Sequence, residues 1–287
     1  MASGRDIKRR ITSVKNTRQI TKAMKMVAAA KLRRAQEAVV LSRPYAQKMR
    51  SVMGKLTSSQ DGSYTHPMFQ KRAEKNVLIV VFSSDKGLCG AFNSNLFKTA
   101  MRYVNENSNL AIHVSSVGKK GRDFFRRRNV TMQKCWVDFS RSISYEYAAN
   151  VAKDITEMFT SGKVDKVYVL YNRFKTVMSQ DVVFEQLLPI SSEGGKTGDG
   201  AGEKIFEPSA EEVFSAILEK NVEFQIYQGI LESWASFNGS QMVAMDSATR
   251  NAGEMIDALT LEYNRARQSA ITKELIEIVS GADALKG

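Results

Sequence analysis

The sequence predicts an α/β protein whose two long terminal helices pair as an antiparallel coiled coil. Three observations support this fold class. The four prolines leave residues 1–43 and 209–287 free of the strongest helix breaker. Small and apolar residues recur every three or four positions in both of these end segments. Between them, runs of β-branched residues alternate with helical patterns, which is typical of a mostly parallel sheet covered by helices.

The amino-terminal segment is predicted to be a helix over residues 3–55, with Ser3 as its N-cap and Asp6 in the first turn. Pro44 is the place where this helix is expected to bend. The residues expected to pack are small or apolar: Ile7, Ile11, Val14, Ile20, Met24, Val27, Ala28, Leu32, Ala35 and Val39.

The central segment has the pattern of a Rossmann-like α/β domain. Buried strands are predicted at residues 77–83, 110–117 and 164–171, helices at 91–105, 120–128 and 144–161, and an edge strand at 182–188. Residues 191–203 have the composition of a flexible surface loop. The predicted domains are therefore residues 1–56, 57–208 and 209–287.

The carboxyl-terminal segment is predicted to be one helix over residues 211–282, because Pro208 and Ser209 precede two glutamates in its first turn. A seven-residue step suggests a coiled-coil seam containing small residues. This row comprises Phe224, Leu231, Met245, Ala252, Leu259 and Ala266, is broken by Asn238, and has Trp234, Ala248 and Met255 beside it.

The two helices are unequal in length, so one should extend beyond the other. At 1.5 Å per residue they span about 78 Å and about 108 Å, which leaves about 30 Å of the second helix without a partner beyond about Tyr263. This end is apolar on more than one face, which marks a binding surface in another protein. Its apolar residues are Ile271, Leu275, Ile276, Ile278, Val279 and Leu285.

The charge is concentrated at the amino terminus. The whole chain carries +12, and residues 1–55 contain fifteen Lys or Arg against two acids, so the rest of the chain is nearly neutral. Such a helix suits an acidic partner, because its self-repulsion is otherwise uncompensated. A nucleic-acid-binding coiled coil stays open as an alternative, although the strongest seam lies at the opposite end of the chain from the basic region.

Catalytic and metal-binding patterns are weak in this sequence. Cys89 and Cys135 are too far apart for a zinc motif, and His66 and His113 have no nearby triad partners. The turn at residues 83–95 follows a strand and precedes a helix but matches neither phosphate-binding glycine pattern. A tight packing turn with a buried Cys89 is the favoured interpretation, and a small nucleotide-dependent enzyme is the alternative. The longest apolar run, residues 77–82, is too short to cross a bilayer.

Three segments resemble the gamma subunit of F-type ATP synthase, of the bacterial type. They are DIKRRI at residues 6–11 with TRQITKAMKMVAAAK at 17–31, SDKGLCGAFN at 84–93, and YNRARQSAITKELIEIVSGA at 263–282. Together with the order of elements, the resemblance covers essentially the whole chain.

This resemblance implies a rotor shaft without catalytic residues, cofactor or metal. The terminal helices would form the shaft inside a hexamer of alpha and beta subunits, and the α/β domain would sit with the epsilon subunit on the c-ring. No nucleic acid is expected, and the membrane is reached only through the c-ring, at the cytoplasmic face of a bacterial inner membrane. ATP chemistry would belong to other subunits.

Individual residues follow from the family motifs. The resemblance implies that Met24, with Lys25, lies near the lever region of beta, and that Lys31, Arg33 and Arg34 continue this basic surface. Lys25 stands where many bacterial members have an acid. Arg267 and Gln268 match a contact with a beta loop, and the apolar end, Ile271 to Leu285, matches the tip that turns in an apolar bearing.

Overall fold

The computed structural model describes residues 4–58, 66–138, 143–190 and 210–284. Helix α1 (Gly4–Ser58) and helix α5 (Ala210–Ala284) enclose the α/β elements in the sequence. Both predicted long helices are confirmed, and α1 continues through Pro44. The chain forms two compact units, which we call the coiled-coil unit (Met1–Ala28 with Met242–Gly287) and the α/β unit (Ala29–Gln241). The predicted three-domain division stays a prediction.

Between α1 and α5, the described residues of the α/β unit form five strands and three α-helices. A short 3-10 helix at Pro67–Phe69 comes first. The following elements are β1 (Asn76–Phe82), α2 (Phe92–Glu106), β2 (Ala111–Val117), α3 (Lys119–Arg126), β3 (Met132–Trp136), α4 (Tyr145–Thr160), β4 (Lys166–Phe174) and β5 (Gln180–Leu188).

The strands form one sheet in the order β3-β2-β1-β4-β5. β1 is parallel to β2 and β4, and β2 is parallel to β3. β5 pairs antiparallel with β4 and lies at the edge of the sheet, where the sequence predicts an edge strand. The mixed α/β fold class is therefore confirmed.

β3 is not predicted from the sequence. Its residues, MQKCW, are half-buried or exposed, and Gln133 and Lys134 interrupt any apolar run. A short edge strand of this kind has neither the alternation nor the apolar content that identifies a strand in a sequence. Its pairing with β2 from Val114 to Val117 is what establishes it.

Helices cover both faces of this sheet. On one face, the core joins alternate β1 residues to α4 and to the first half of α5. On the other face, Ile79 and Val81 of β1 pack with α2 and α3. Because successive strand residues point to opposite faces, the unbroken apolar run of β1 is buried on both sides. This arrangement explains why β1 reads as a continuous apolar strand.

In the coiled-coil unit, α1 and α5 run antiparallel. A Cβ on Gly4 would lie 3.9 Å from the ring of Tyr263, whereas the Thr249 hydroxyl donates to the Thr21 hydroxyl at 2.8 Å. Later residues of α1 therefore meet earlier residues of α5. Ile7 and Ala28 are buried in this seam.

The seam differs from the predicted set at three positions. Ile20, Val27 and Met255 are 60%, 55% and 53% exposed, whereas the neighbouring Thr21 and Ile256, which are not in that set, are buried together with the predicted Ala28. A shift of one residue turns a side chain about 100° around the helix. A threonine that makes a hydrogen bond across the seam therefore occupies a position that hydrophobicity alone assigns to isoleucine.

Some predicted features lie outside the described residues. They are the Ser3 cap, the helix start at Pro208 and Ser209, the loop at residues 191–203, and Leu285.

Candidate functional site

The sheet has a switch point of the kind at which open α/β sheets bind ligands. The strand order reverses between β1 and β4, and ligands of such sheets bind outside the carboxyl ends of the strands at that point. Here this region contains α5. The Ser233 hydroxyl donates to the Phe82 carbonyl at the end of β1 (3.3 Å), and the Ser236 hydroxyl donates to the Asn172 carbonyl in β4 (2.9 Å).

Close packing of α5 against the sheet also fills the switch point. A Cβ on Gly229 would lie 2.5 Å from a ring carbon of Phe82. The buried Asn172 amide donates to the Phe92 carbonyl at the start of α2 (3.2 Å). The strand ends thus bond to protein groups, which leaves little space there for a nucleotide.

The turn between β1 and α2 is held by hydrogen bonds between its own residues. Asn93 accepts from the Ser84 backbone N–H (3.1 Å) and donates to the Ser84 hydroxyl (2.7 Å). Gly118, at φ +103°, approaches Ser83 so closely that a Cβ would lie 2.5 Å from the Ser83 carbonyl oxygen. These contacts support the interpretation of residues 83–95 as a packing turn.

Cys89 lies buried in this turn. The Asn93 amide donates to its sulfur at 3.3 Å. Burial raises the pKa of the Cys89 thiol, and hydrogen bonding with Ser84 and Asn93 opposes that rise in part. A buried thiol with a raised pKa is a poor nucleophile.

The predicted contact residues on α1 have different surroundings. Lys31 is half-buried, and Arg33 and Arg34 are exposed. Arg33 pairs with Glu37 of its own helix at 3.1 Å, and both side chains are largely exposed. An exposed pair of this kind contributes little stability, so the guanidinium of Arg33 can change partners at small cost.

Lys25 is engaged within the chain. Its Nζ lies 2.5 Å from Oδ1 of Asp246 on α5, and Arg250 approaches Oδ2 of the same carboxylate at 3.7 Å. Hydrogen bonding from Lys25 lowers the pKa of Asp246. Met24, the preceding residue, is half-buried. The sequence does not single out Asp246, because its one signal there is an acid within a seam of small residues.

An apolar strip lies exposed beside these charges on α1. Ile20 and Val27, seven residues apart, share one face of the helix, and Met26 is 61% exposed. Ile20 and Val27 are predicted to lie in the seam, whereas the structure places them on the surface. Large exposed apolar side chains between cations suit a protein partner.

The end of α5 is exposed throughout. From Arg267 to Ala282 every described residue is exposed, and this stretch begins just after Tyr263, where α1 starts. Arg267 and Gln268 lie at its beginning. The predicted apolar residues Ile271, Leu275, Ile276, Ile278 and Val279 are 49%, 56%, 61%, 67% and 59% exposed, respectively.

The candidate residues of the coiled-coil unit therefore form two separate groups. Lys25 lies opposite Asp246, and Arg267 follows Asp246 by 21 residues on the same helix. At 1.5 Å per residue the two groups are about 30 Å apart along α5.

Neither a membrane span nor a metal cluster is found in the described parts of the chain. No helix there has a stretch long and apolar enough to cross a bilayer. Likewise, these residues bring no three metal-binding side chains together.

The full length of the sequence matches proteins of one kind. Residues 3–285 match the model of the family described as ATP synthase. ATP synthase gamma chains from Trichlorobacter lovleyi and Geobacter metallireducens are 51% and 50% identical over 290 and 289 residues, with 100% of each chain covered.

Solved structures show the same fold. The central stalk/c-ring structure of the Tetrahymena thermophila mitochondrial ATP synthase contains a chain that is 27% identical, with a TM-score of 0.64, covering 80% of this chain and 99% of that one. A chain of the Euglena gracilis mitochondrial ATP synthase (OSCP/F1/c-ring, rotational state 3) is 22% identical, with a TM-score of 0.67 and 98% and 94% covered. The chain belongs to the ATP synthase gamma chain family.

Proposed function

We propose that this protein is the central rotor shaft of an F-type ATP synthase. It couples the proton-driven rotation of a membrane c-ring to conformational change at catalytic beta subunits, for synthesis or hydrolysis of ATP. The observation that carries the proposal is the unpaired end of α5. Sixteen consecutive exposed residues, Arg267 to Ala282, follow the point where α1 begins, and five of their large apolar side chains are at least 49% exposed.

A surface of this kind needs an apolar surrounding in another protein. A bearing made of apolar contacts has few directional bonds, so it allows the helix end to rotate. The two-helix pairing of the coiled-coil unit supports a torque-bearing role, because the Thr249–Thr21 hydrogen bond and the Lys25–Asp246 ion pair between α1 and α5 oppose slippage between them.

The subunit itself is proposed to be non-catalytic. The occupied switch point and the self-bonded turn after β1 support this part, since both regions bond to protein groups of the α/β unit. ATP chemistry then takes place at the beta subunits, and this chain supplies no cofactor or metal ligands.

The contact residues are proposed in two groups. Met24 and Lys25, with Lys31, Arg33 and Arg34, face the acidic levers of beta, and Arg267 with Gln268 contacts a beta loop. The first group is supported by the basic charge of residues 1–55. Because Lys25 already pairs with Asp246, its role is to shape this surface together with α5.

The place of the subunit follows from its proposed partners. The alpha and beta subunits surround the helices, and the α/β unit sits with the epsilon subunit on the c-ring. The Tetrahymena relative is described with a central stalk and a c-ring, which supports this arrangement. The protein is therefore proposed to lie at the cytoplasmic face of a bacterial inner membrane, which it meets only through the c-ring.

Copurification tests the proposal. The label is placed at an exposed position such as Met178, so that the carboxyl terminus stays free. The labelled subunit is expected to migrate with an ATPase of several hundred kilodaltons. In a single-molecule assay, it is expected to rotate within that complex. Migration as a lone chain from native membranes would overturn the proposal. Tight, salt-sensitive binding to DNA without an ATPase partner would favour the nucleic-acid alternative instead.

A further inference from the structure

The two faces of the sheet carry opposite charge. From Phe92 to Lys134, which spans α2 and α3, there are nine Lys or Arg and two acids, Glu106 and Asp123. On the other face, α4 and the start of α5 carry acids such as Glu157, Glu219 and Glu223. The net charge of the chain after residue 55 is therefore near zero although one face of the sheet is basic and the other is acidic.

The basic face contains an open groove along α2. Its volume is about 1330 Å³, and residues from Gly90 to Glu106 line one side. The apolar floor consists of Phe97, Met101, Phe124 and Val182. Phe97 stacks on Phe124 with ring centroids 4.3 Å apart, so the floor is well packed.

Cations form the rim of this groove. Lys98, Arg102 and Arg128 line it, whereas Glu106 is the single acid among the described lining residues. Lys98 and Arg102 are exposed, and within the described segments neither makes an ion pair with an acidic side chain. Arg128 lies over the Phe124 ring at 3.8 Å. The rim therefore offers two uncompensated positive charges above an apolar floor.

From this geometry we propose that the α2 groove binds an acidic amphipathic helix of a neighbouring polypeptide. Apolar side chains of that helix contact the half-buried Met101 and Val182, and its carboxylates pair with Lys98 and Arg102. Helix-in-groove recognition uses this combination of an apolar face and a charged border. α2 has fifteen residues, so the groove follows about four turns of helix, or about 22 Å.

Other ligand classes fit the groove less well. The volume exceeds the roughly 300–1,000 Å³ of typical small-molecule pockets. Single-stranded nucleic acid needs free aromatic faces for base stacking, but Phe97 is 7% exposed and Phe124 is already covered by Arg128. An anionic membrane meets protruding apolar side chains on a convex surface, whereas this surface is concave.

Photo-crosslinking in the assembled enzyme tests the inference, which rests on the proposed function only for membership of the assembly. A p-benzoylphenylalanine replaces Asn105 at the end of the groove, and the same residue replaces Glu146 on the opposite face as a control. After irradiation of the purified complex, mass spectrometry identifies the attached peptide. An acidic amphipathic helix of another subunit, captured from position 105 and not from 146, is the expected result.

Charge reversal supplies the second arm. Lys98→Glu with Arg102→Glu is expected to lower the cross-link yield at least tenfold, and raising the salt concentration should weaken it as well. Lys71→Glu with Lys163→Glu, at two exposed cations elsewhere in the α/β unit, is the matched control and should leave the yield unchanged.

The remaining outcomes overturn the inference. They are a cross-link to phospholipid, to nucleic acid, to a neutral or basic segment, or within this chain, and the absence of any cross-link in a complex that still contains the subunit. A subunit that fails to join any ATPase contradicts the proposed function as well, so the two failures are distinguishable.

Discussion

At the scale of single residues, a few small and polar side chains determine how α5 packs. Gly229 lies against the buried ring of Phe82, and Ser233 and Ser236 bond to the ends of β1 and β4. Each of these residues is small enough for a helix backbone to approach a sheet closely. Larger residues here would separate α5 from the sheet.

The first prediction concerns Gly229→Ala. The new methyl group would lie 2.5 Å from Phe82, and overpacking of this kind costs about 1–3 kcal/mol, more than the roughly 1 kcal/mol gained from helix propensity. Chemical denaturation should show a lower unfolding free energy. Gly253→Ala is the control: its nearest side-chain atom is 3.9 Å away, so it should stabilise by about 0.5–1 kcal/mol. Equal effects of the two changes would refute the packing argument.

The second prediction concerns the Lys25–Asp246 pair. Because Lys25 holds the pKa of Asp246 below its ordinary value, the pair stabilises the folded form at neutral pH, and this contribution disappears as the pH falls through the pKa of Asp246. Lys25→Asp and Asp246→Lys should each lower Tm in thermal unfolding. The double variant, with the charges exchanged, should recover most of the loss. Additive losses would mean that the pair does not join α1 to α5.

At the scale of elements, the central strands of the sheet are apolar and buried, and the strands at its two edges contain polar residues. β1 lies between parallel neighbours and is buried on both faces, so its apolar run predicts a strand by itself. β3 and β5 are edge strands with polar residues, and their place depends on β2 and β4. The strands at the centre of the sheet could therefore be predicted from the sequence, whereas β3 could not.

The third prediction concerns alkaline pH and Tyr171 of β4. Burial raises the pKa of Tyr171 to about 12, from about 10 in an unfolded chain. Stability from the neutral phenol is present below about pH 10 and is lost between about pH 10 and 12, by about 2–3 kcal/mol. Tyr171→Phe should make the unfolding free energy fall less steeply over this range. An unchanged slope in Tyr171→Phe would contradict the prediction.

At the scale of the whole molecule, charge and apolar surface are sorted by segment. The basic excess lies in residues 1–55, a second basic face lies on α2 and α3, and the exposed apolar residues of α5 lie at its end. These three surfaces suit two partner chemistries: acidic proteins for the first two and an apolar socket for the third. A protein that transmits force needs such surfaces more than it needs titrating side chains.

The fourth prediction is a truncation. Deletion of residues 280–287 should leave the unfolding of the α/β unit unchanged, because the described part of this segment is exposed, and should weaken assembly or torque in the complex. Met24→Lys should instead impair coupling more than assembly, since Met24 lies in the other group of proposed contact residues. Circular dichroism and the ratio of proton pumping to ATP hydrolysis separate the two effects. Loss of folding in the truncated subunit would refute the inference that the end of α5 is not needed for folding of the subunit.

Much of the candidate site could be predicted because it depends on one-dimensional features. The exposure of Ile271 to Val279 follows from the difference in helix length, and the basic character of Arg33 and Arg34 follows from composition. The Lys25–Asp246 pair could not be predicted, since its partners are 221 residues apart. The assignment of Ile20 and Val27 failed because seam residues are selected by their angle around the helix, and hydrophobicity is an imperfect guide to that angle.

The sequence by itself determined the two long helices, the central α/β pattern, the basic amino-terminal segment and the apolar end of α5. These properties depend on local periodicity, proline positions and composition, which require no knowledge of distant contacts. Only the tertiary structure decided which face of α1 is buried, what closes the switch point, and that α2 and α3 form a basic face with an apolar groove. Those features arise from residues far apart in the chain that meet only after the sheet and helices have packed.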